Sequence, residues 1–146
     1  MHSDGAKQKE NPGKPEGVIA LSNAISANGA LVSANLLNNG IDAEQAQNLA
    51  TVLKEHATLK SLCGNTGDET ELDMSGKGIG ADGAIMLVPE IAVNGALAKF
   101  TFSGMVAGKD GPPVTIETSM TEADFSNKKL GASGAIMLAA FLPKCQ

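Results

Sequence analysis

Residues 78–83 read Gly78-Ile79-Gly80-Ala81-Asp82-Gly83, a G-x-G-x-x-G string between a short strand-like stretch at 71–75 and an apolar helical run. In that setting glycines let a backbone approach a pyrophosphate at a helix N-terminus, so the chemistry on offer is nucleotide binding. Its counterparts weaken that reading. Residues 39–44 (Asn-Gly-Ile-Asp-Ala-Glu) and 129–134 (Lys-Leu-Gly-Ala-Ser-Gly) hold equivalent places in the chain, which makes the three glycines one version of a recurring turn. A dinucleotide unit also needs a longer apolar strand than Leu72-Asp73-Met74 and an acid closing its second strand, whereas Glu90 falls inside the helix. Lys77, between Gly76 and Gly78, lacks the upstream glycine spacing and following Ser or Thr of a P-loop.

The other reactive residues are few. Cys63 and Cys145 lie 82 residues apart in different layers of the expected fold, so both are expected as free thiols. His2 sits in the N-terminal tail, and His56 takes the helix-end place held elsewhere by Asn28 and Asn94, where the helix dipole favours it. No C-x-x-C, no Ser-His-Asp grouping and no isolated carboxylate pair emerges. The expectation is a chain that is not an enzyme, with no cofactor and no metal.

The elements that position these residues recur. The segments 17–31, 45–59, 83–97 and 134–146 align as four copies of a helical block, with starts separated by 28, 38 and 51 residues, or one repeat plus insertions of 10 and 23. Leu21, Leu49, Leu87 and Leu138 stand at the fifth position, and Ile25, Leu53, Ile91 and Leu142 at the ninth, a spacing that puts both on one buried helical face. Ala46, Ala84 and Ala135 keep the second position small, for close packing on a sheet. Asp42, Asp82 and Ser133 are placed as helix-start caps.

Between helices, short strands are predicted near 31–36, 59–62, 71–75, 97–102 and 122–125, giving five strands and four helices. Apolar residues alternate at Ala34/Leu36, Leu72/Met74 and Ala123/Phe125 and return at Ile41, Ile79 and Leu130. The pattern L-x-x-L-x-L-x-x-N-x-L followed by a helix of about 14 residues, with a period of 28, resembles the leucine-rich repeat family, in its ribonuclease-inhibitor-like form. The resemblance covers 16–146. Asn39 matches the family's turn asparagine, but Lys77 and Lys128 replace it in the later copies, and Glu69 and Met120 replace the first strand leucine. The resemblance implies an α/β solenoid of about four irregular repeats, with parallel strands on the concave face and helices on the convex face. Irregular connections fall at 63–70 and 103–119, the second ending in a β-like run that could protrude as a loop with its own strand.

The family implies binding through the concave strands. Strand alternation points Ser33/Asn35, Ser61/Cys63, Glu71/Asp73, Lys99/Thr101 and Glu122/Asp124 that way, and Asn35, Glu71, Asp73, Lys99, Thr101, Glu122 and Asp124 form the candidate partner site. Paired carboxylates on two strands and a net charge of −5 favour a basic protein partner over nucleic acid. A purely solvated face, a nucleotide-binding enzyme at 78–83 and a structural fragment of a larger repeat protein are the competing expectations. Residues 1–15 read as a disordered tail. No apolar run suits a signal peptide or a membrane span, and with two cysteines the chain reads as cytoplasmic. The C-terminal end follows a helix without a cap motif, so self-association there is expected to involve Phe125 or Phe141.

Overall fold

A computed structural model describes residues 16–145; the expected tail at 1–15 lies outside them. Four helices, α1 (Glu16–Ala27), α2 (Ala43–Glu55), α3 (Ala81–Val93) and α4 (Gly131–Phe141), alternate with extended segments, and a single 3-10 turn, Leu142–Lys144, follows α4. The helices pack in chain order, α1 on α2, α2 on α3 and α3 on α4. The sheet has three strands, β1 (Glu71–Met74), β2 (Lys99–Val106) and β3 (Lys109–Glu117), in that spatial order.

Each helix forms where an apolar stripe meets a local stop and start. Asp42 caps α2, its Oδ1 accepting the Gln45 amide at 2.9 Å, and Glu44 and Lys54 suit the two ends of the dipole. Leu49 and Leu53 face inward, as do Leu87 and Ile91 on α3, which is buried along most of its circumference because it lies between two other helices. The other expected caps do not cap. Gly80 occupies that place on α3, with Asp82 inside the first turn, and Leu130 occupies it on α4, leaving Ser133 buried in the helix with an unpartnered hydroxyl. Because α4 starts one residue early relative to the repeat, Met137 and not Leu138 is fully buried, Ala135 is exposed, and Leu142 leaves the helix and is 43% exposed. Phe141 takes the inward place instead, its ring 5.8 Å from Phe100, which stacks on Phe102 at 5.1 Å.

The strands depart from the expected set in number and direction. Among the described residues β1 and β2 pair in parallel, Glu71 opposite Lys99 and Met74 opposite Phe102, and one isolated bridge, Ser33 to Ser61, is parallel too. β3 runs antiparallel to β2, so the β-like run at the end of the 103–119 connection is half of a hairpin and not a protrusion. Its two-residue loop, Ala107–Gly108, has both residues in the left-handed region, as a type I′ turn requires. Segments 31–36 and 59–63 make only the single bridges Ser33 to Ser61 and Asn35 to Cys63, supported by amide bonds such as Ala34 to Ser61 O at 3.0 Å. Residues 122–125 form no strand; the hairpin takes the place beside β2 that a parallel strand would need.

A bulge between Ser103 and Met105 lets α4 start against β2. A Cβ on Gly104 would lie 2.2 Å from the Leu130 carbonyl oxygen, so only glycine allows this approach.

Candidate functional site

The turns after three extended segments share one construction. Asn35, Asp73 and Asp124 each accept the amide two residues on, from Leu37 at 3.1 Å, Ser75 at 2.9 Å and Ser126 at 2.9 Å. Left-handed backbone follows three and five residues later in every case: Asn38 and Gly40, Gly76 and Gly78, Asn127 and Lys129. These side chains reverse the chain by mimicking a backbone turn. Hydrogen bonds from the Ser75 side chain and amide hold Asp73 below the usual carboxylate range, and Ser126 does the same for Asp124. Neighbouring turns touch: the Asn38 amide reaches Lys77 O at 3.4 Å, and the Gly78 amide donates to Asp110 Oδ1 at 3.2 Å.

The helix ends recur as well. Asn28 accepts the amides of Ala30 and Leu31, Asn94 that of Ala96, and His56 imitates them with Nδ1, which accepts Thr58 N at 3.0 Å and Leu59 N at 2.9 Å. Nδ1 therefore carries no proton, and Nε2–H donates to the carbonyls of Ile25 and Asn28 on the preceding unit, both at 2.9 Å. It is this acceptor-donor pair, and not a charge at the helix end, that suits histidine to the place. Asn94 likewise reaches back to Glu69 O at 3.1 Å, and Lys144 to Asn94 O at 3.0 Å.

On the far side of the sheet the pleat leaves a polar face. Burial alternates along β1, with Leu72 and Met74 inward and Glu71 and Asp73 exposed, and along β3, with Val114 and Ile116 inward and Thr115 and Glu117 exposed. Register sets out two cross-strand rows, Glu71–Lys99–Glu117 and Asp73–Thr101–Thr115, the last two hydroxyls 3.0 Å apart. Glu71, Asp73, Lys99 and Thr101 also line a shallow concavity of about 270 Å³. Four of the seven candidate residues therefore come together. Asn35 is exposed on a separate segment. Glu122 and Asp124 lie in coil, and Glu122 borders a different hollow with Ile116, Met120 and Leu142.

Thr115 and Glu117 belong to this face and were not expected on it; the Val106-Ala107-Gly108-Lys109 loop was the available hairpin signal. Ser61 and Cys63, expected to face outward, are buried at 0% and 4% exposure. Ser61 Oγ donates to Glu90 Oε1 at 2.7 Å, and burial pushes the unpaired Cys63 thiol well above its ordinary value. Cys145 is unpaired also. Phe141, expected at an open C-terminal end, is fully buried, so that end instead exposes Met120 and Leu142.

In the glycine turn at 78–83 the Gly78 amide is engaged, and α3 starts after Gly80 with no side-chain cap. Gly76 N–H goes to Ser103 Oγ at 3.2 Å and Gly78 N–H to Asp110, while Asp82 and Asp110 bring negative charge to the turn. Among the described residues no group of three or more His, Cys, Asp or Glu side chains could hold a metal, and no helix is long and apolar enough to cross a membrane. Comparison with family models, with curated proteins and with solved structures gave no match in any of the three.

Proposed function

We propose that this chain is a short, irregular repeat module of the leucine-rich-repeat type that binds a protein partner, without catalysis, through the exposed face of β1, β2 and β3. Two recurrences support the repeat reading: the Asn/Asp turn with left-handed residues at fixed offsets, and the helix-end side chain that reaches back to the preceding unit. The observation that carries the binding reading is the pair of polar rows on that face, where Glu71 and Glu117 stand on either side of Lys99 and Asp73, with Lys77 near it, begins the second row. Three carboxylates to two cations leave the face with an excess of negative charge, which favours a partner that presents positive charge. The face has no aromatic anchor, so the interaction it suits is steered by charge and exchanges readily.

The test is affinity capture from a native lysate by the wild type beside a variant carrying Glu71→Ser, Asp73→Ser and Glu117→Ser, both checked for fold by circular dichroism. A protein kept by the wild type and lost from the variant supports the reading. The same proteins in both lanes contradict it.

A further inference from the structure

Glu90 is 1% exposed, and the side chains that donate to it are Ser61 and Asn65. Ser61 Oγ donates to its Oε1 at 2.7 Å, and the same hydroxyl accepts the amides of Cys63 and Asn65, each at 3.0 Å. Oε2 is buried with no hydrogen-bond partner. That serine joins the 59–65 stretch to α3, while backbone hydrogen bonds to 32–36 and the buried Leu59, Leu62 and Cys63 hold its other side. A neutral carboxyl tolerates that environment; an ionised one would leave charge on an oxygen that nothing solvates. We propose that buried Glu90 is a proton-controlled latch: the 60–70 segment stays packed over α3 while Glu90 is protonated, and it opens to let water reach the carboxylate when Glu90 ionises, although the Ser61 hydroxyl itself donates more strongly to the ionised form.

No cation is among the groups that shift Glu90; Lys54, His56 and Lys60 line a hollow beside Pro89 and Val93, and Lys144 bonds Asn94 O at the end of α3. From the 60–70 segment come the acids Cys63 and Glu69, and the same segment carries Lys60 and Asp68, both exposed. α2 supplies Lys54 and Glu55, both exposed, and α4 carries no ionisable side chain. β1 turns Glu71 and Asp73 to the open face, and on β2 Lys99 belongs to that same face. Burial, only partly offset by hydrogen bonds from Ser61 and Asn65 and reinforced by Glu69, lifts the Glu90 carboxyl from 4.5 to about 7.

The sign follows. A carboxyl raised in the closed form stabilises closure fully below its open-form value of 4.5, and that contribution is lost as pH rises towards 7. The opening constant therefore climbs roughly tenfold per pH unit across that window, on the order of 100-fold in all, and is level above it. Glu69 works the other way. Burial raises its carboxyl, but bonds from the Thr66 and Gly67 amides outweigh that and lower it, so its contribution is lost only as pH falls below 4.5.

Cys63 lies on the segment to be released and reports its opening. The full chain would be labelled with 4,4′-dithiodipyridine from pH 4.5 to 8, with Cys63 resolved from Cys145 by peptide mass. Each rate is divided by that of the urea-unfolded chain at the same pH. The latch predicts a normalised Cys63 rate that rises on the order of 100-fold up to pH 7 and then levels, and a constant rate in Glu90→Gln. A flat wild-type profile, or the same rise in Glu90→Gln, overturns it. If Glu90→Gln does not fold, hydrogen exchange in the wild type decides. The amides of Cys63 and Asn65 must lose protection over this window while Leu87 in α3 keeps its own; a joint loss, or none, overturns the latch.

Discussion

Replacing His56 with alanine strikes the contact that joins two successive units. The change deletes the Nδ1 acceptor for Thr58 and Leu59 and the Nε2 donor to Ile25 and Asn28. Leu59 is 3% exposed, so water cannot readily replace the lost partner of its amide. At about 1 kcal/mol net for each of two accepted bonds and a similar amount for the shared donor, His56→Ala should cost about 3 kcal/mol. His56→Asn is the informative comparison, because Asn28 and Asn94 already perform the acceptor role at the same place. Asparagine should keep the local turn and lose only the reach to α1, at about 1 kcal/mol. With no Trp or Tyr in the chain, urea unfolding followed by far-ultraviolet circular dichroism is the suitable assay. If asparagine is as damaging as alanine, or if both changes cost nothing, the helix-end residue does not link the units as described.

Gly104→Ala would drive a methyl group to 2.2 Å from the Leu130 carbonyl oxygen, and neither backbone can yield without moving α4 off β2. A loss of about 3 kcal/mol in the same urea titration is expected, and a neutral result would place α4 elsewhere. Lys129 holds φ at 51° where the equivalent residues are Gly40 and Gly78, so Lys129→Gly should raise stability by about 0.5 kcal/mol, the relief of left-handed strain less the added chain entropy. A lower thermal midpoint for that variant would argue against the third turn being built like the first two.

The helices were legible because burial follows a period the side chains display: Leu49 with Leu53 and Leu87 with Ile91 mark inward faces that no alternative pairing satisfies as well. The register of α4 was not, since Met137 and Leu138 are adjacent and equally apolar, and the choice between them rests on Leu130 entering the helical turn one residue early. β3 was obscured by Pro112 and Pro113, which count against a strand in sequence but are tolerated at a sheet edge, and β3 is an edge. On the candidate face, alternation along β1 and β2 pointed to Glu71, Asp73, Lys99 and Thr101, and the parallel register of the two strands sets these four side by side. Glu122 and Asp124 failed because a carboxylate pattern specifies no pairing partner, and the chain there stays coil. The inward turn of Ser61 was hidden for a different reason: its partner, Glu90, lies 29 residues further along, and a serine next to a lysine reads as surface.

The proposal that this chain binds a protein through the face of β1, β2 and β3 is tested most directly by site-specific photocrosslinking in native extract. A benzophenone amino acid would be placed at Thr115, exposed on that face, and in a second protein at Ala92, exposed on α3. Adducts of discrete mass from Thr115 and none from Ala92 are predicted, with the Thr115 adducts abolished by Glu71→Ser, Asp73→Ser and Glu117→Ser. Adducts from Ala92 alone, or Thr115 adducts that survive those changes, would contradict it.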